Sequence, residues 1–361
     1  MGQFDDPRLP PRDAARDDWD PSNAHNGYTG RMRALRDIAA PLDPSLGQLT
    51  PGQPAIAPQS SGGMTPSAQS VLARAATPDY LAVTYDLAEP GFAEAYDSVI
   101  VPQWSAHFGR LLISLFLTLP RTSSWQVLDV GCGTGYPTLE LARFLGKDCD
   151  LAGLDIWPEA IAIAKRKASD EWLRNVTFLV GDIANSGLPE QAFDLVTCNL
   201  ALASFADLGG SLGAIWRHLR PGGQLLLTTP LQAAMREFLD IYYLTLRDLK
   251  LDDALRRLVA MIGARPTTEM LRGWVERSGF HVQRILDGSF SLNFQPAKAI
   301  FSSFLVQTLY LESWRGLLPD DSVRRIVFNE VERRLDARAQ MSGGYLTMTI
   351  PMAAIHATRI S

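Results

Sequence analysis

From Thr77 onward the chain switches repeatedly between two hydrophobic periods. Residues 126–130, 150–155, 176–180, 193–198 and 223–229 are short apolar runs bounded by turn residues, the pattern of strands buried on both faces. Between them, at 138–145 and 158–172, apolar residues recur every three or four positions, which predicts helices. The second of these carries Pro158 in its first turn, where a missing N–H leaves no hydrogen bond unmade. Two more helices are expected ahead of the first strand, at 92–99 and 104–119. Strand and helix in alternation imply a parallel sheet with helices on both faces, because each parallel connection must cross over the sheet. Beyond Pro230 the helical period dominates, at 231–249, 252–262, 267–278, 297–314 and 321–341. A strand from 280 to 286, running on toward Phe294, interrupts this stretch, and a strand at 346–358 closes it. The expected fold is therefore α/β: a doubly wound, Rossmann-like, mostly parallel sheet with extra C-terminal helices.

Residues 1–76 show neither period. Ten prolines and a Gly62-Gly63 pair are spread among Ser, Gln and Asp, with few large apolar side chains to offset chain entropy. This predicts a disordered, Pro-rich tail over 1–76 and a single folded domain over 77–361, with helical segments at about 231–279 and 296–342 capping the substrate. Within the tail, 30–40 contains Met32, Leu35 and Ile38 at helical spacing, a short helix that would suit a protein partner.

Composition narrows the class of function. The 361 residues carry a formal charge of −5, so no whole-chain basic field gathers nucleic acid. Three cysteines are too few for a disulfide framework, which points to a reducing cytoplasm. The longest apolar run, 111–119, is far shorter than the roughly 20 residues of a membrane span, and no secretory leader is expected. Neither paired cysteines nor a His-x-Glu or Asp-rich loop suggests a metal site.

The chemistry is concentrated in Val127-Leu-Asp-Val-Gly-Cys-Gly-Thr-Gly-Tyr136. A strand runs into Gly131, Gly133 and Gly135 and then into a helix, which brings bare backbone close to a ligand. Nicotinamide enzymes use a related turn, but theirs requires Gly or Ala where this chain has Tyr136. Asp129, two residues before the first glycine, would repel a pyrophosphate and suits a cationic ammonium group.

With these residues the chain resembles the class I S-adenosylmethionine-dependent methyltransferases, particularly their quinone- and small-molecule-modifying branch. The resemblance extends over 96–230 and loosely into the C-terminal strands. It implies S-adenosyl-L-methionine as cofactor, held by Asp129, Gly131, Cys132, Gly133 and Gly135. Asp155 with Ile156, at the end of the second strand, would hold the ribose hydroxyls. Asp182 with Ile183, after the third, would face the adenine, and Asn199 at the end of the fourth completes the set. Tyr96 is a candidate for a lid that the family folds over the cofactor, and His107 a candidate base.

The fourth strand ends Cys198-Asn199-Leu200-Ala201 and lacks the Pro-Pro-aromatic ending of enzymes that methylate amino groups of nucleic acids and glutamine. A small acceptor is therefore expected, with no nucleic-acid partner. Aromatic residues in the C-terminal helices, among them Phe238, Tyr242, Tyr243, Trp274, Phe301, Phe304, Tyr310 and Trp314, suggest an apolar or aromatic acceptor. The alternatives are a protein or RNA methyltransferase and a catalytically silent module that keeps the fold for binding.

Overall fold

A computed structural model describes residues 64–120, 124–295 and 297–360. The helix expected at 30–40, and the partner expected to dock on it, lie outside these residues. The folded part begins earlier than the sequence suggests. Pro66–Ala75 forms helix α1, capped by the Thr65 hydroxyl, and buries Ala68, Val71 and Ala75. The apolar spacing of this one short helix is masked by the proline-rich composition before it.

Seven strands make one sheet in the order β3-β2-β1-β4-β5-β7-β6. They are β1 (Gln126–Val130), β2 (Asp150–Asp155), β3 (Val176–Val180), β4 (Phe193–Asn199), β5 (Leu219–Pro230), β6 (Phe280–Phe294) and β7 (Leu346–Arg359). The first five are parallel, and β7 is antiparallel to both its neighbours, β5 and β6. β5 starts before the predicted 223, because Phe193 pairs with Leu219 and the ladder resumes only at Leu195 and Gln224. The intervening Pro221-Gly222-Gly223 bulges out, with Gly222 at φ +77° where a Cβ is disfavoured.

Successive strand residues point to opposite faces, and here both faces are buried. Val127, Leu195 and Leu226 join one apolar cluster; Leu128, Val196, Leu225 and Leu227 join the other. The first cluster is completed by a long helix over 92–116 (α2) and by α6 (Arg236–Asp248), a helix over 304–315 (α9) and α10 (Asp321–Gln340). The second is completed by α5 (Leu208–His218) and α8 (Thr268–Arg277). Between β1 and β3 run α3 (Thr138–Leu145) and α4 (Pro158–Asp170); α7 (Asp252–Gly263) lies between α6 and α8.

The two helices predicted at 92–99 and 104–119 are one. Its middle stretch, Tyr96–Ser105, winds in the wider π pattern and accommodates Pro102, which has no N–H to donate. A second π stretch, Gln307–Leu311, lies within α9. No helix among the described residues is long and apolar enough to cross a membrane.

Candidate active site

The carboxyl ends of β1 and β4 lead away to opposite sides of the sheet, the place where open α/β sheets bind ligands. Here a cavity of about 250 Å³ opens, walled by the glycine turn after β1, the ends of β2 and β3, the segment 199–206 after β4 and the π stretch of α2.

The glycine turn is folded back onto β2. Gly131 and Cys132 donate their N–H groups to the Leu154 carbonyl at 2.8 and 3.2 Å, and Gly133 donates to Asp155 Oδ2 at 2.7 Å. All three glycines have positive φ: +73°, +50° and +98°. Their roles differ. A Cβ on Gly131 would collide with Ala201, whereas one on Gly133 would meet no protein atom, because that face borders the cavity. A Cβ on Gly135 would press on Leu139 and Ala164 at 3.0–3.2 Å. Gly135 therefore serves helix packing and is off the cavity wall, a correction to its expected cofactor role.

Asp129 needs the same correction. Its side chain is fully buried beneath the turn, where Thr197 Oγ1 donates to Oδ1 at 2.6 Å and Thr138 Oγ1 donates to Oδ2. It ties β1 to β4 and to the start of α3 and does not border the cavity. Burial pushes its carboxyl up to about 6, against the two hydroxyl hydrogen bonds, with the negative charge of Asp155 adding to the rise.

Asp155 and Asp182 are on the wall. Asp155 Oδ1 accepts from the Trp157 N–H at 3.0 Å, so both its oxygens orient backbone while keeping a lone pair each. Burial also raises its pKa, partly offset by these N–H groups. Asp182 caps the short turn Ile183–Asn185 by accepting from Ala184 N at 2.9 Å, and remains exposed to the cavity. Ile183 is buried, but Ile156 is 49% exposed although it borders the cavity. Cys132 and Asn199 are also on the wall. Asn199 accepts from Thr228 Oγ1 at 2.7 Å and donates to the Ser105 carbonyl at 3.4 Å.

The π stretch of α2 is the candidate lid. Tyr96, Val101 and Ser105 face the cavity, and Lys167 of α4 clasps the stretch to the glycine turn. Its ammonium donates to Asp97 Oδ1 at 2.8 Å and to the Thr134 carbonyl at 3.0 Å. Tyr96 meets Trp157 edge to face at 5.4 Å, and Trp157 Nε1 donates to the Leu87 carbonyl at 3.0 Å. Burial drives the Tyr96 phenol above its ordinary range, so it is a hydrogen-bond donor at neutral pH and not a base.

His107 is not in the site. Its ring stacks on Phe290 at 3.9 Å, away from the cavity wall, and burial with the nearby Arg110 charge pulls its pKa down to about 4. The aromatic residues expected to roof the crevice are mostly core: Phe238, Tyr242 and Trp314 are fully buried, Phe301, Phe304 and Tyr310 nearly so, and neither these six nor Tyr243 and Trp274 line the cavity. They pack on one another, as in the 3.7 Å stacking of Phe238 on Trp314. Sequence reading missed Leu87, Tyr136 and the segment 200–206. Leu200 holds φ +79°, a conformation costly for a non-glycine residue and undetectable in an alphabet of side chains.

A glycine turn at the switch point of a parallel sheet, with carboxylates at the ends of the next two strands, defines a domain that binds an adenosyl cofactor. The comparisons agree. A family model described as a methyltransferase domain matches residues 121–269. Nocamycin O-methyltransferase of Saccharothrix syringae is 29% identical over 239 residues, covering 64% of this chain and 84% of that protein. Aklanonic acid methyltransferase DauC of Streptomyces sp. (strain C5) is 30% identical, over 36% of this chain and 62% of its own length. Demethylmenaquinone methyltransferase of Geobacillus sp. (strain WCH70) is 30% identical, over 34% and 52%. The chain thus spans between half and two thirds of the length of the last two. It carries a class I S-adenosylmethionine-dependent methyltransferase domain and resembles the quinone-modifying branch of that class.

The site fits that cofactor. Open space faces Gly133, an apolar side chain stands exposed at Ile156 beside buried Ile183, and Asp155 retains acceptor capacity. Thr134 Oγ1, on the cavity wall, is buried with no partner within the protein.

Proposed function

We propose that this chain transfers the methyl group of S-adenosylmethionine to a nucleophilic atom of a small apolar or aromatic acceptor. The observation that carries the reading is the single cavity shared by Asp155 and Asp182 at one side and Leu200, Phe205 and Ser105 at the other. The first side supplies carboxylates for an adenosyl group; the second, which adjoins it, combines apolar Leu200, Ala201 and Phe205 with the uncharged polar groups of Ser105, Asn199 and Ser204. Relatives named for aklanonic acid and demethylmenaquinone support an acceptor of that kind.

The bound cofactor supplies an activated methyl on a sulfonium centre, so the chain's task is positioning and exclusion of water. Gly131 and Cys132 fix the turn on β2, Asp155 sets the Gly133 amide, and Lys167 holds the lid closed over it. Of the wall residues, Tyr96, Cys132, Tyr136, Asp155 and Asp182 ionise, and burial keeps the phenols and the thiol protonated at neutral pH. Both carboxylates stand at the adenosyl side. With no wall base at the acceptor side, the acceptor must supply its own acidity, as an enol, an acidic phenol or a carboxylic acid does.

Calorimetry with S-adenosylhomocysteine tests the cofactor half. Incubation with isotopically labelled S-adenosylmethionine and a panel of quinols, phenols and lipid-like acceptors, read by mass spectrometry, tests the rest. Labelled product from that panel is expected. Methylation of a protein or an RNA alone, with every small acceptor inert, overturns the reading.

A further inference from the structure

Asn199 is the last residue of β4, paired with Thr228 across the ladder to β5, and is 5% exposed on the cavity wall. Its side-chain amide is held at both ends. Thr228 Oγ1 donates to Oδ1 at 2.7 Å, and Nδ2 donates to the Ser105 carbonyl of α2 at 3.4 Å. A carbonyl can only accept, so the nitrogen is fixed on the side of α2 and the oxygen on the side of β5. An amide nitrogen carries two hydrogens, and only one of them is spent on Ser105, through a long contact. The other has no acceptor among the described residues. A buried donor left over is costly unless a ligand takes it, and this one belongs to a residue that borders open space.

The chain around Asn199 keeps that amide in place. Thr228 is fully buried in the sheet, and its carbonyl accepts the Leu200 N–H at 3.2 Å. Leu200 in turn holds φ +79°. A non-glycine residue takes that conformation at a cost, and such strain concentrates where a functional group must be fixed. Near the amide the wall also carries Ser105 and Ser204, both uncharged, with Val101, Leu200 and Phe205 beside them. Among the described residues the wall has no Lys, Arg or His, and its two carboxylates, Asp155 and Asp182, stand at the adenosyl side.

We propose that Asn199 orients the methyl acceptor: its free N–H donates to an oxygen at or next to the reacting atom, which assigns the acceptor to the phenols and enols and not to the carboxylic acids. The assignment rests on the methyl-transfer reading above and names the substrate class of that site. A phenol or enol enters neutral, and its oxygen gains negative charge only as its proton leaves to water. A fixed, neutral donor stabilises that charge as it develops, with no reorganisation at the moment of reaction. A carboxylic acid arrives already ionised, and a wall with two carboxylates and no cation leaves it unpaired. In the transfer, a lone pair on the oxygen, or the π pair of the enolate carbon, forms the bond to the methyl carbon. The carbon–sulfur bond breaks with its pair going to sulfur, and Asn199 keeps its hydrogens throughout.

The test uses the full-length protein loaded with S-adenosylhomocysteine and three probes: 1-naphthol, 7-hydroxycoumarin and 1-naphthoic acid. Calorimetry gives affinities, and the absorbance of bound 7-hydroxycoumarin gives the pH at which a phenol ionises in the site. At neutral pH 1-naphthol should bind at least about 10-fold more tightly than 1-naphthoic acid. In Asn199→Ala the bound coumarin should ionise about 1–2 pH units higher than in the wild type, the size of one hydrogen bond to a charged oxygen. Affinity for S-adenosylhomocysteine should stay within about 3-fold, which separates an acceptor-orienting residue from a cofactor ligand. Thr228→Val, which frees the amide without removing its donor, should shift the titration less and in the same direction, and it decides the matter if Asn199→Ala does not fold. An unshifted titration, 1-naphthoic acid bound as tightly as 1-naphthol, or no binding of either phenol overturns the assignment. So does a loss of S-adenosylhomocysteine affinity in Asn199→Ala with the titration unmoved, which makes Asn199 a cofactor ligand. Failure of the wild type to bind S-adenosylhomocysteine overturns the methyl-transfer reading instead, and the phenol titration then still decides the role of Asn199.

Discussion

Three glycines in one turn look interchangeable in sequence and are not so in space. Gly133 combines φ +50° with open space on its Cα, so alanine there costs about 1–2 kcal/mol of backbone strain and places a methyl in the cavity. Gly133→Ala should therefore melt slightly below the wild type yet bind S-adenosylhomocysteine at least about 10-fold more weakly. Gly135→Ala, at φ +98° and pressed on Leu139 and Ala164, should show the reverse: a larger loss of stability and, where folded, near-normal affinity. Melting curves beside calorimetry separate the two, and equal behaviour would remove Gly133 from the binding surface. Asp155→Ala removes the acceptor of two N–H groups, from Gly133 and Trp157, as well as the proposed ribose ligand. Cofactor affinity should fall by about 1–3 kcal/mol, the usual cost of stranding partners of a charged group. Asp155→Asn, which keeps one acceptor oxygen, should fall between Ala and wild type.

The elements differ in how far the chain announces them. The five parallel strands, α3 and α4 were legible because a strand buried on both faces and an amphipathic helix have unmistakable periods. Asp155, Ile156, Asp182, Ile183 and Asn199 were placed on the cavity because each ends or follows a strand whose register the pattern already sets. What escaped was whatever depends on tertiary geometry. Asp129 turned inward because Thr138, across the glycine turn, and Thr197, 68 residues away on β4, supply hydroxyls to it. The cap aromatics turned away from the crevice because helices α6, α9 and α10 found enough apolar surface in one another. The lid as a continuous helix was hidden by Pro102, which a π stretch tolerates and an α-helix does not. That lid is joined to the glycine turn by one ammonium, Lys167, which with Asp97 is only 15% exposed. Lys167→Met removes both contacts while keeping the apolar stem. The lid should then open more readily: S-adenosylhomocysteine should dissociate about 5–30-fold faster in stopped-flow displacement, the equivalent of about 1–2 kcal/mol, with far-UV circular dichroism unchanged. An unaltered off-rate would mean that the π stretch does not gate the cavity.

At the scale of the whole molecule, two carboxyls, buried Asp129 and half-buried Asp155, couple folding, cofactor and pH. Asp129 is raised to about 6 and Asp155 is raised as well, each chiefly by burial. For a carboxyl with a raised folded pKa, the stabilisation is complete below the unfolded value near 4 and is lost as pH rises through the folded value. The cofactor-free protein should thus lose about 1–3 kcal/mol of stability to Asp129 between roughly pH 4 and 7, measured as the difference from Asp129→Asn in urea unfolding at each pH. Half-buried Glu330, held at about 2 by Arg333 and Arg334, has the opposite sign but titrates lower and is common to both proteins, so the subtraction removes it. Binding has the contrary dependence. A sulfonium is attracted to the ionised carboxylates, while the thioether of S-adenosylhomocysteine is not, and the two ligands are otherwise alike. The preference for S-adenosylmethionine over S-adenosylhomocysteine should therefore grow about 3–10-fold from pH 5 to pH 7, a size set by unit charges several ångströms apart at an effective dielectric near 20. In Asp129→Asn that growth should shrink, because one of the two raised carboxyls is gone. A preference constant across this range would show that neither carboxyl changes charge beneath the bound ligand, and the electrostatic role assigned to the floor of the site would fail.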